Sequence, residues 1–555
     1  MMVGRVAVIG AGSSGLVCTK ICVEEGLEPV CFESSNDIGG LWNFKECPQP
    51  ERSSIYRSLV TNTSKEMTCF SDFPMPDHYP NYTPNSLLLQ YYRLYAQHFD
   101  LLKYIHFQTK VSHVVQRPDF PVSGQWDVET VNQDGEKEHH VFDAVMVCSG
   151  HYTHPYLPMS EFTGSETFTG QCLHSWEYKD AERCRGKRVV VVGIGNSGGD
   201  IAVDISRFAE KTFLSTRKGA WVVGRMSNSG LPLDMTGITR FYGSLMRLLP
   251  SRLVSWITER ALNQKYDHKL YRLRPRHRAM DRRPVINDEL PYQILLGEVV
   301  IKPNIKEFKE SRVVFEDNAE EKIDIVIFCT GYIANFAFLP QSLCQGPKGE
   351  LTLYKRLFPP SLQQPTLVVM GLFQTKGPIM PVVEMQARWA ANVFKGLNRL
   401  PTKDKMLSVI ERERKRSMKS YPCPLQAALQ VDYIPYLDFM ADKVGVKPRF
   451  LGLLLRDPSL WAKVFFGPCT PYQFRLSGSR QWSGARQAIL TQWDRVDCPF
   501  NTREVPEPHS EASGWSPMWL LAFGASVLMA AFMYKNEAFP TNENVLDKVF
   551  LLFKF

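Results

Sequence analysis

The sequence predicts an α/β fold in which two domains built on parallel sheets, one inserted in the other, precede a C-terminal membrane helix. Three observations support this prediction. Two apolar runs each end in a glycine-rich turn, two later apolar runs each end in a small residue and a glycine, and a segment of 20 residues near the C-terminus has no charge. Apolar residues make up 44% of the 555 residues and charged residues 22%, which is typical of a globular protein. A chain of this length is too long for one hydrophobic core, so we expect two or more domains.

The first glycine-rich turn follows the apolar run at residues 5–9. It reads GAGSSG at residues 10–15, and a helix-like segment follows it. Its glycines, Gly10, Gly12 and Gly15, permit a tight turn, let the backbone approach a pyrophosphate and allow the helix to pack closely on the strand. The free N–H groups at the start of that helix attract the anion. These features predict a Rossmann-like dinucleotide site.

The second turn repeats the pattern after the apolar run at residues 188–192, with the sequence GIGNSG at residues 193–198. We predict that it contacts its dinucleotide through Gly193, Gly195, Asn196, Ser197 and Gly198. One such motif is a weak signal, because glycine clusters also form ordinary turns, whereas two in a strand–turn–helix context are a strong one. Two dinucleotides in one chain indicate redox chemistry.

The residues that end the second strand of each unit distinguish the two sites. Glu33 lies 18 residues beyond Gly15, where a carboxylate accepts hydrogen bonds from ribose hydroxyls and suits FAD or NAD. Arg217 lies 19 residues beyond Gly198, where a guanidinium binds a 2′-phosphate and selects NADP over NAD. Lys218 follows it. The alternative for Arg217 is a solvated surface charge.

Composition argues against several other classes of function. A net charge of +8 without a basic tail gives no reason to expect nucleic acid and fits contact with an anionic membrane surface. The 13 cysteines include no C-x-x-C pair, which favours a reducing compartment and argues against a zinc site or a flavin disulfide reductase. We therefore predict no metal. The first strand begins by Arg5, so we expect no signal peptide.

Two further apolar runs, each predicted to be the last strand of its sheet segment, indicate where the domains begin and end. The apolar runs that end at Gly150 and Gly331 each bring a small residue and a glycine to a strand tip, which suits a strand that abuts a dinucleotide. We predict the following segments: the first part of an FAD-binding domain at 1–155, an NADPH-binding domain at 156–332 with an insertion at about 220–286, and a return to the FAD domain with a C-terminal region at 333–510. We expect the active site in the cleft between the domains.

Two segments point to a membrane. Residues 515–534 are 20 residues without a charge, just enough helix to cross a hydrocarbon core, with tryptophans at one end and Tyr534 and Lys535 at the other. The alternative is a buried core helix, although little chain follows to form its core. Residues 251–278 begin as an amphipathic helix and continue as a basic segment, which is suited to lie on a bilayer. A lid helix with a solvated basic face explains that segment equally well.

A resemblance to a known family covers essentially the whole chain. Residues 168–178, FTGQCLHSWEY, resemble the F-x-G-x-x-x-H-x-x-x-Y identifying sequence of the flavin-containing monooxygenases. The blocks NTSKEM at 62–67, NDELP at 287–291 and FCTGY at 328–332 resemble the vertebrate microsomal enzymes of the dimethylaniline monooxygenase type, as does the apolar C-terminus. Tyr178 in the last position of the motif favours the N- and S-oxygenating group over Baeyer–Villiger enzymes.

The resemblance implies an enzyme whose cofactor supplies the oxidant. NADPH reduces FAD, O2 adds to give a C4a-hydroperoxyflavin, and one oxygen passes to a soft nitrogen or sulfur nucleophile of a xenobiotic. Asn62 is expected at the flavin face as a catalytic, neutral hydrogen-bond donor, and its alternative role is that of a turn asparagine. His174 is expected to organise the domain junction, or else to be a satisfied core histidine. Lys376 departs from the family pattern near the expected substrate channel, where it would alter selectivity.

Further cofactor contacts are predicted at Gly40, Leu41, Trp42, Asn62, Ser215 and Gln374. The resemblance implies attachment to the endoplasmic reticulum membrane with the catalytic domains on the cytosolic face, and it leaves a homo-oligomer open. The sequence does not separate this enzyme from a Baeyer–Villiger ketone oxygenase or from an uncoupled NADPH oxidase that produces hydrogen peroxide. A membrane-anchored flavoprotein that regulates without turnover is a different class, and the intact glycines, Glu33, Arg217 and Asn62 argue against it.

Overall fold

The structure, a computed structural model, describes residues 3–346, 350–419 and 428–503. Among these residues, no helix combines the length and the apolar character needed to cross a bilayer. The C-terminal membrane helix predicted at residues 515–534 lies outside the described residues.

The helices and strands fall into three consecutive stretches. The first contains β1 (Arg5–Ile9), α1 (Ser13–Glu24), β2 (Glu28–Phe32), α2 (Lys65–Thr68), α3 (Asn85–His98), β3 (Ile105–His106), β4 (Lys110–Gln116), α4 (Phe120–Ser123), β5 (Trp126–Val131), β6 (Lys137–Phe142), β7 (Ala144–Val147) and β8 (His154–Pro155). The second contains β9 (Gln171–His174), β10 (Arg188–Val192), α5 (Asn196–Ser206), β11 (Lys211–Ser215), β12 (Val222–Val223), α6 (Leu233–Gly237), α7 (Arg240–Leu248), α8 (Ser251–Lys265), β13 (Val285–Ile286), α9 (Leu290–Leu295), β14 (Val299–Lys302), β15 (Ile305–Lys309), β16 (Arg312–Phe315), β17 (Glu320–Lys322), β18 (Ile325–Phe328) and β19 (Tyr332–Ile333). The third contains α10 (Gln341–Cys344), β20 (Leu367–Val369), β21 (Gln374–Thr375), α11 (Met380–Phe394), α12 (Lys403–Met418), β22 (Gln430–Val431), α13 (Tyr433–Val444), α14 (Phe450–Arg456), α15 (Pro458–Phe466), α16 (Ala485–Leu490) and α17 (Gln492–Asp497).

Five parallel strands form the first sheet, in the order β20-β7-β1-β2-β3. The central strand β1 is apolar because both of its faces are covered. Val6 and Val8 belong to the core that contains α1 and α11, whereas Ala7 and Ile9 pack with the antiparallel strands β4, β5 and β6. The turn after β1 therefore lies at the middle of the sheet edge, where open α/β sheets bind their ligands.

The second sheet repeats this arrangement, with five parallel strands in the order β14-β11-β10-β18-β9. Val189 and Val191 of the central strand β10 pack with helix α5. Val190 and Val192 pack on the opposite face with the antiparallel strands β15 and β16. The valine run of β10 thus serves two cores at once, which explains why it shows no apolar–polar alternation.

The second sheet lies wholly between β8 and β19 in the chain. These two short strands pair antiparallel, Tyr332 with Pro155 and Ile333 with His154, where the chain enters and leaves the second unit. The chain then adds β20 to the first sheet beside β7. The units differ in one respect, because the outer strand β9 precedes β10 whereas its counterpart β20 follows β1.

Buried ion pairs join the C-terminal helices to the first domain. Arg475 contacts Asp72 and Glu384 at 2.8 Å each, and Arg495 contacts Glu66 at 2.6 Å. A buried carboxylate without such a partner would be strongly destabilising, so each arginine is tied to its position. The C-terminal region of the described chain therefore packs as part of the first domain.

The second unit carries an insertion that includes α6, α7 and α8. Helix α8 begins at Ser251, as the sequence predicts, and buries Val254 and Ser255. The expected apolar face is only half-buried at Trp256 and Ile257 and exposed at Ala261. Exposed cations lie at the last residue of the helix, Lys265, and in the segment after it, at Lys269, Arg272, Arg274, Arg276 and Arg278.

Candidate active site

Both glycine-rich turns open on one cavity of about 1190 Å³. The predicted site residues that line it are Gly10, Gly12, Glu33, Gly40, Leu41, Trp42, Asn62, Gly195, Asn196, Ser197 and Gln374. The predicted residues that do not line it are Gly15, Gly193, Gly198, Ser215 and Arg217. Residues from both units therefore meet at one site, as two dinucleotides in one reaction require.

The first turn has a backbone that only glycine tolerates at two of its positions. Gly10 has a φ of +100°, and a Cβ there would lie 2.9 Å from the carbonyl oxygen of Cys148. A Cβ on Gly15 would lie 1.7 Å from the carbonyl oxygen of Gly10. Gly15 is therefore buried under the turn, where it lets helix α1 approach the strand.

Gly12 precedes helix α1 and faces a second glycine segment. A Cβ on Gly12 would lie 3.5 Å from the Cα of Gly40, which begins the short 3-10 turn Gly40–Trp42. Leu41 and Trp42 extend this side of the cavity. The Gly40 segment therefore lies close against one side of the first turn. A larger side chain at Gly12 would fill the space that a pyrophosphate needs.

The second turn reproduces this geometry at Gly193 and Gly198. Gly193 has a φ of +107°, with a Cβ position 2.8 Å from the carbonyl oxygen of Cys329, and a Cβ on Gly198 would lie 1.9 Å from the carbonyl oxygen of Gly193. At Gly195 a Cβ would meet nothing within 4 Å. The space over Gly195 and the start of helix α5 fits an incoming pyrophosphate.

Glu33, directly after β2, is a buried carboxylate with protein donors on both oxygens. Oε2 accepts a hydrogen bond from the N–H of Ala11 at 2.8 Å. Oε1 accepts from the N–H and the hydroxyl of Ser35 at 2.8 Å each and from Arg52 at 3.2 Å. A carboxylate offers about four acceptor positions, so Oε2 retains capacity for a ribose hydroxyl.

The corresponding position of the second unit is open. Ser215 is buried, and its hydroxyl donates to the carbonyl oxygen of Pro303 at 2.8 Å, so the structure does not bring it to the cavity. Arg217 and Lys218 are exposed and make no hydrogen bond or ion pair with any described residue. Both cations are therefore available to a phosphate just outside the cavity.

Asn62 lines the cavity, and its amide orientation is fixed by Arg225. The guanidinium of Arg225 donates to Oδ1 of Asn62 at 2.8 Å. Because a guanidinium can only donate, the amide oxygen must face it and the NH2 group points elsewhere. Arg225 is held in turn by Asp288 at 3.2 Å and by the carbonyl oxygen of Thr61 at 3.2 Å. Arg225 was not predicted from the sequence, although the NDELP block contains its partner Asp288.

A second contact between the units holds the segment after Asn62. Asp234, at the start of α6, accepts hydrogen bonds from the N–H of Ser64 at 2.7 Å and from its hydroxyl at 3.0 Å. Burial of Asp234 raises the pKa of its carboxyl to about 6, although the bonds from Ser64 oppose this rise. Asp234 lines the cavity and is a second residue that the sequence did not reveal.

His174 of the identifying motif connects strand β9 to the segment by which the chain leaves the second unit. Its Nδ1 accepts from the N–H of Trp176 at 3.1 Å, so Nε2 carries the proton that it donates to the carbonyl oxygen of Gly331 at 3.0 Å. Burial lowers the pKa of His174 to about 4. Tyr178 donates to Asp204 at 2.8 Å. The side chains of His174 and Tyr178 therefore have hydrogen-bond partners at the junction between the two units, and His174 stays neutral.

Gln374 reaches the cavity from the third stretch of the chain. Its Oε1 accepts a hydrogen bond from the side chain of Gln430 at 2.9 Å, which leaves its NH2 group to the cavity. The described residues contain no cluster of His, Cys, Asp or Glu that could hold a metal ion. Two dinucleotide turns at one cavity define the class of this protein as an oxidoreductase that brings two such cofactors together.

Comparison with known proteins gives the family. The family model described as "Flavin-binding monooxygenase-like" matches residues 3–536. Flavin-containing monooxygenase 5 of Cavia porcellus is 50% identical over 510 residues, which are 92% of this chain and 95% of the relative. Dimethylaniline monooxygenase (N-oxide-forming) 2 of Rattus norvegicus is 48% identical over 539 residues, which are 97% of this chain and 100% of the relative.

Solved structures share the fold. S-allyl-L-cysteine S-oxygenase from Allium sativum has a TM-score of 0.61 at 24% identity and covers 89% of this chain and 98% of its own. Cyclohexanone monooxygenase from Rhodococcus sp. Phi1 bound to NADP+ has a TM-score of 0.57 at 17% identity and covers 80% of this chain and 97% of its own.

The chain belongs to the flavin-binding monooxygenase family. It is an NADPH- and O2-dependent flavoprotein monooxygenase, and its cofactors are FAD and NADPH. The alternatives of a Baeyer–Villiger ketone oxygenase and an uncoupled NADPH oxidase are not favoured.

Proposed function

We propose that the first turn binds FAD, that the second binds NADPH, and that the enzyme oxygenates soft nitrogen and sulfur atoms of small xenobiotics. The observation that carries this proposal is the presence of both turns and Asn62 on one cavity. The closed surroundings of Gly12 suit a cofactor that stays bound, and the open space over Gly195 suits one that exchanges. The N-oxide-forming relative, at 48% identity, favours amine substrates.

When bound and reduced by NADPH, FAD supplies the activation of O2. The protein must then hold the donor, the flavin and the substrate together and exclude water. Asn62 presents a neutral N–H group to the cavity because Arg225 occupies its amide oxygen. An amide can hold an oxygen atom by a hydrogen bond without giving up a proton, which is the property needed to prevent early release of hydrogen peroxide.

The test is the hydrogen peroxide released per NADPH consumed, with a tertiary amine or a thioether present. In Asn62→Ser we expect unchanged flavin content and continued NADPH oxidation, but several times more peroxide than in the parent. In Asn62→Asp we expect slower flavin reduction, because an anion beside the reduced, electron-rich flavin opposes hydride transfer.

Asn335→Ser is the matched control, since Asn335 also lines the cavity. A peroxide ratio in Asn62→Ser equal to that of the control would remove Asn62 from the chemistry and leave it a turn residue. Formation of an ester from a ketone, in preference to an N-oxide or a sulfoxide, would overturn the proposed substrate class.

We also propose attachment to the cytosolic face of the endoplasmic reticulum membrane. Beside the predicted segment at 515–534, a surface of α7, α14 and α15 supports this proposal. Leu248, Leu451 and Leu455 are 71%, 72% and 76% exposed there. The exposed cations of the same helices are Arg247, Arg456 and Lys463. Exposed apolar side chains and exposed cations on helices that pack together suit the headgroup region of an anionic bilayer.

Removal of residues 504–555 tests this surface separately from the tail. We expect the truncated protein to bind vesicles of phosphatidylcholine with phosphatidylserine in low salt and to be released by high salt. Replacement of Leu451 and Leu455 by Ser in the truncated protein should abolish this binding. Complete solubility of the truncated protein beside such vesicles in low salt would leave the tail as the anchor.

A further inference from the structure

One wall of the cavity carries cations that the dinucleotide turns do not account for. Arg283 lines the cavity, is half-buried, and makes no hydrogen bond or ion pair within the part of the chain that the structure describes. A guanidinium stays protonated in proteins, and a partly buried one without a partner is costly. Arg283 therefore has unused binding capacity that faces the cavity.

Lys376 adds a second cation to this wall. It lines the cavity, and its Nζ donates to the carbonyl oxygen of Met280 at 2.7 Å. The surrounding protein lowers the pKa of Lys376, and Arg283 lowers it further, whereas Asp432 and Asp281 raise it. Neither of these carboxylates lines the cavity. The cations line the cavity and these two carboxylates do not, so the wall attracts anions.

His151 completes the wall with a neutral polar group. Its Nε2 is buried and has no hydrogen-bond partner among the described residues, and the side chain lines the cavity. Burial and the charge of Arg283 lower the pKa of His151 to about 4, so the imidazole is neutral near pH 7. It therefore adds no charge but offers a hydrogen-bonding atom beside the guanidinium.

We propose that His151, Arg283 and Lys376 form a carboxylate-binding subsite, and that this enzyme prefers amines or thioethers that carry a carboxylate. This proposal rests on the proposed oxygenation of such substrates and names their class. Two neighbouring cations repel each other, and a carboxylate between them removes that repulsion. The planar guanidinium matches a carboxylate with two parallel hydrogen bonds, and the neutral imidazole supplies a further one.

The oxyanion that this wall binds has two possible sources, the substrate and a phosphate of the coenzyme. Strand β13 begins two residues after Arg283, and the N–H of Ile286 in that strand donates to Asn196 at the start of helix α5. The wall is therefore near the second turn. Lys376 and His151 come from segments of the first domain instead, which favours a ligand that lies between the units rather than on the second turn alone.

The experiment compares (methylthio)acetate, CH3–S–CH2–CO2−, with its methyl ester, which has the same thioether but no charge and one more methyl group. Dissociation constants come from the flavin difference spectrum of the oxidised enzyme with NADP+, and KM values come from sulfoxide formation. We expect the parent enzyme to bind the acid at least about tenfold more tightly than the ester. In Arg283→Gln and Lys376→Gln we expect this preference to fall about tenfold each, with ester binding and the KM for NADPH unchanged. Arg276→Gln is the matched control, because Arg276 is an exposed arginine of the same segment that does not line the cavity.

Three results separate the possibilities. Equal binding of acid and ester by the parent enzyme would overturn the subsite. A higher KM for NADPH in Arg283→Gln, with an unchanged acid preference, would assign the guanidinium to the coenzyme and also overturn it. Tight, charge-dependent binding of the acid without sulfoxide formation would support the subsite and contradict the proposed oxygenation instead.

Discussion

At Gly10 and Gly193 the chain adopts nearly the same conformation, with φ of +100° and +107°. In each turn the first glycine lies against the carbonyl oxygen of a cysteine at the tip of the neighbouring strand, Cys148 or Cys329. The surroundings differ. Gly12 faces the Gly40 segment, whereas a Cβ on Gly195 would meet nothing within 4 Å. The motif therefore fixes the backbone, and the residues around it decide whether the site is closed or open.

The residues that follow the second strand of each unit differ in the same way. Glu33 is buried and already accepts hydrogen bonds from Ala11, Ser35 and Arg52. Arg217 is exposed, with no hydrogen bond or ion pair among the described residues. A site assembled before its ligand arrives pays little ordering cost and binds tightly. The comparison thus predicts a retained cofactor at the first turn and an exchanging one at the second.

Valine at the middle glycine of each turn should give the largest effects and break the comparison most directly. In Gly12→Val we expect almost complete loss of flavin, because the side chain meets the Gly40 segment and fills the pyrophosphate space. In Gly195→Val we expect a protein that is still yellow because it retains its flavin. Its reduction by NADPH should be at least about a hundredfold slower, since a small displacement of the bound NADPH lowers the rate of hydride transfer by about that factor.

Flavin absorbance per protein and stopped-flow reduction measure the two effects. Gly452→Ala is the control, because a Cβ there meets nothing within 4 Å and Gly452 lies in α14, away from both turns. If Gly195→Val lost its flavin and Gly12→Val kept it, the assignment of the two sites would be reversed.

These turns were predictable because their information is local. A glycine-rich run between an apolar strand and a helix determines both the positive φ at Gly10 and the close packing at Gly15. The double burial of β1 and β10 was predictable for the same reason, since four consecutive apolar residues in each strand require cover on both faces. Ser215 shows the limit, because its register put it at the right strand end while its hydroxyl bonds to Pro303.

Replacement of Arg217 by Ala should have the next largest effect and tests the open side of the comparison. It removes a charge-assisted contact to the 2′-phosphate worth about 1.5–3 kcal/mol, so the preference for NADPH over NADH should fall about ten- to a hundredfold. The ratio of kcat/KM for the two coenzymes measures this. Arg312→Ala, an exposed arginine on the antiparallel strands of the same unit, should leave the ratio unchanged. An unchanged ratio in Arg217→Ala as well would move the phosphate contact to Lys218.

Arg225→Met should have a smaller effect and tests whether the two units act together. Arg225 belongs to the second unit, and its bond to Asn62 of the first orients the amide of Asn62 in the cavity. Without it the amide is free to rotate, and we expect peroxide release per NADPH to rise a few-fold with flavin content and the NADPH preference unchanged. Arg225→Lys, which keeps a donor, should restore part of the coupling. A ratio equal to that of the parent in Arg225→Met would show that Asn62 needs no positioning.

Contacts of this kind explain why the site was only partly predictable. Asn62 and Arg225 are 163 residues apart in the chain, and Ser64 and Asp234 are 170 apart. No local pattern links such residues, because each lies in a loop or a short helix whose position depends on how the two units pack. The resemblance gave Asn62 but not the residues that hold it.

The smallest expected effect concerns Asp234, the other contact between the units. Its pKa in the folded protein, about 6, lies above the value of 3.8 for a free carboxyl. The folded state therefore binds this proton more tightly, and the stability that the group contributes is complete at low pH and is lost as pH rises through 6. At about 1.4 kcal/mol per pKa unit, the loss between pH 5 and pH 7 is about 1 kcal/mol.

The variant Asp234→Asn cannot ionise at this position and should therefore lack this pH dependence. Between pH 5 and pH 7 we expect its free energy of unfolding to rise by about 1 kcal/mol relative to that of the parent. Chemical denaturation at several pH values measures the difference, and Asp317→Asn, at an exposed turn, is the control. A difference that is constant with pH would mean that Ser64 holds Asp234 ionised throughout, and that this contact between the units does not titrate.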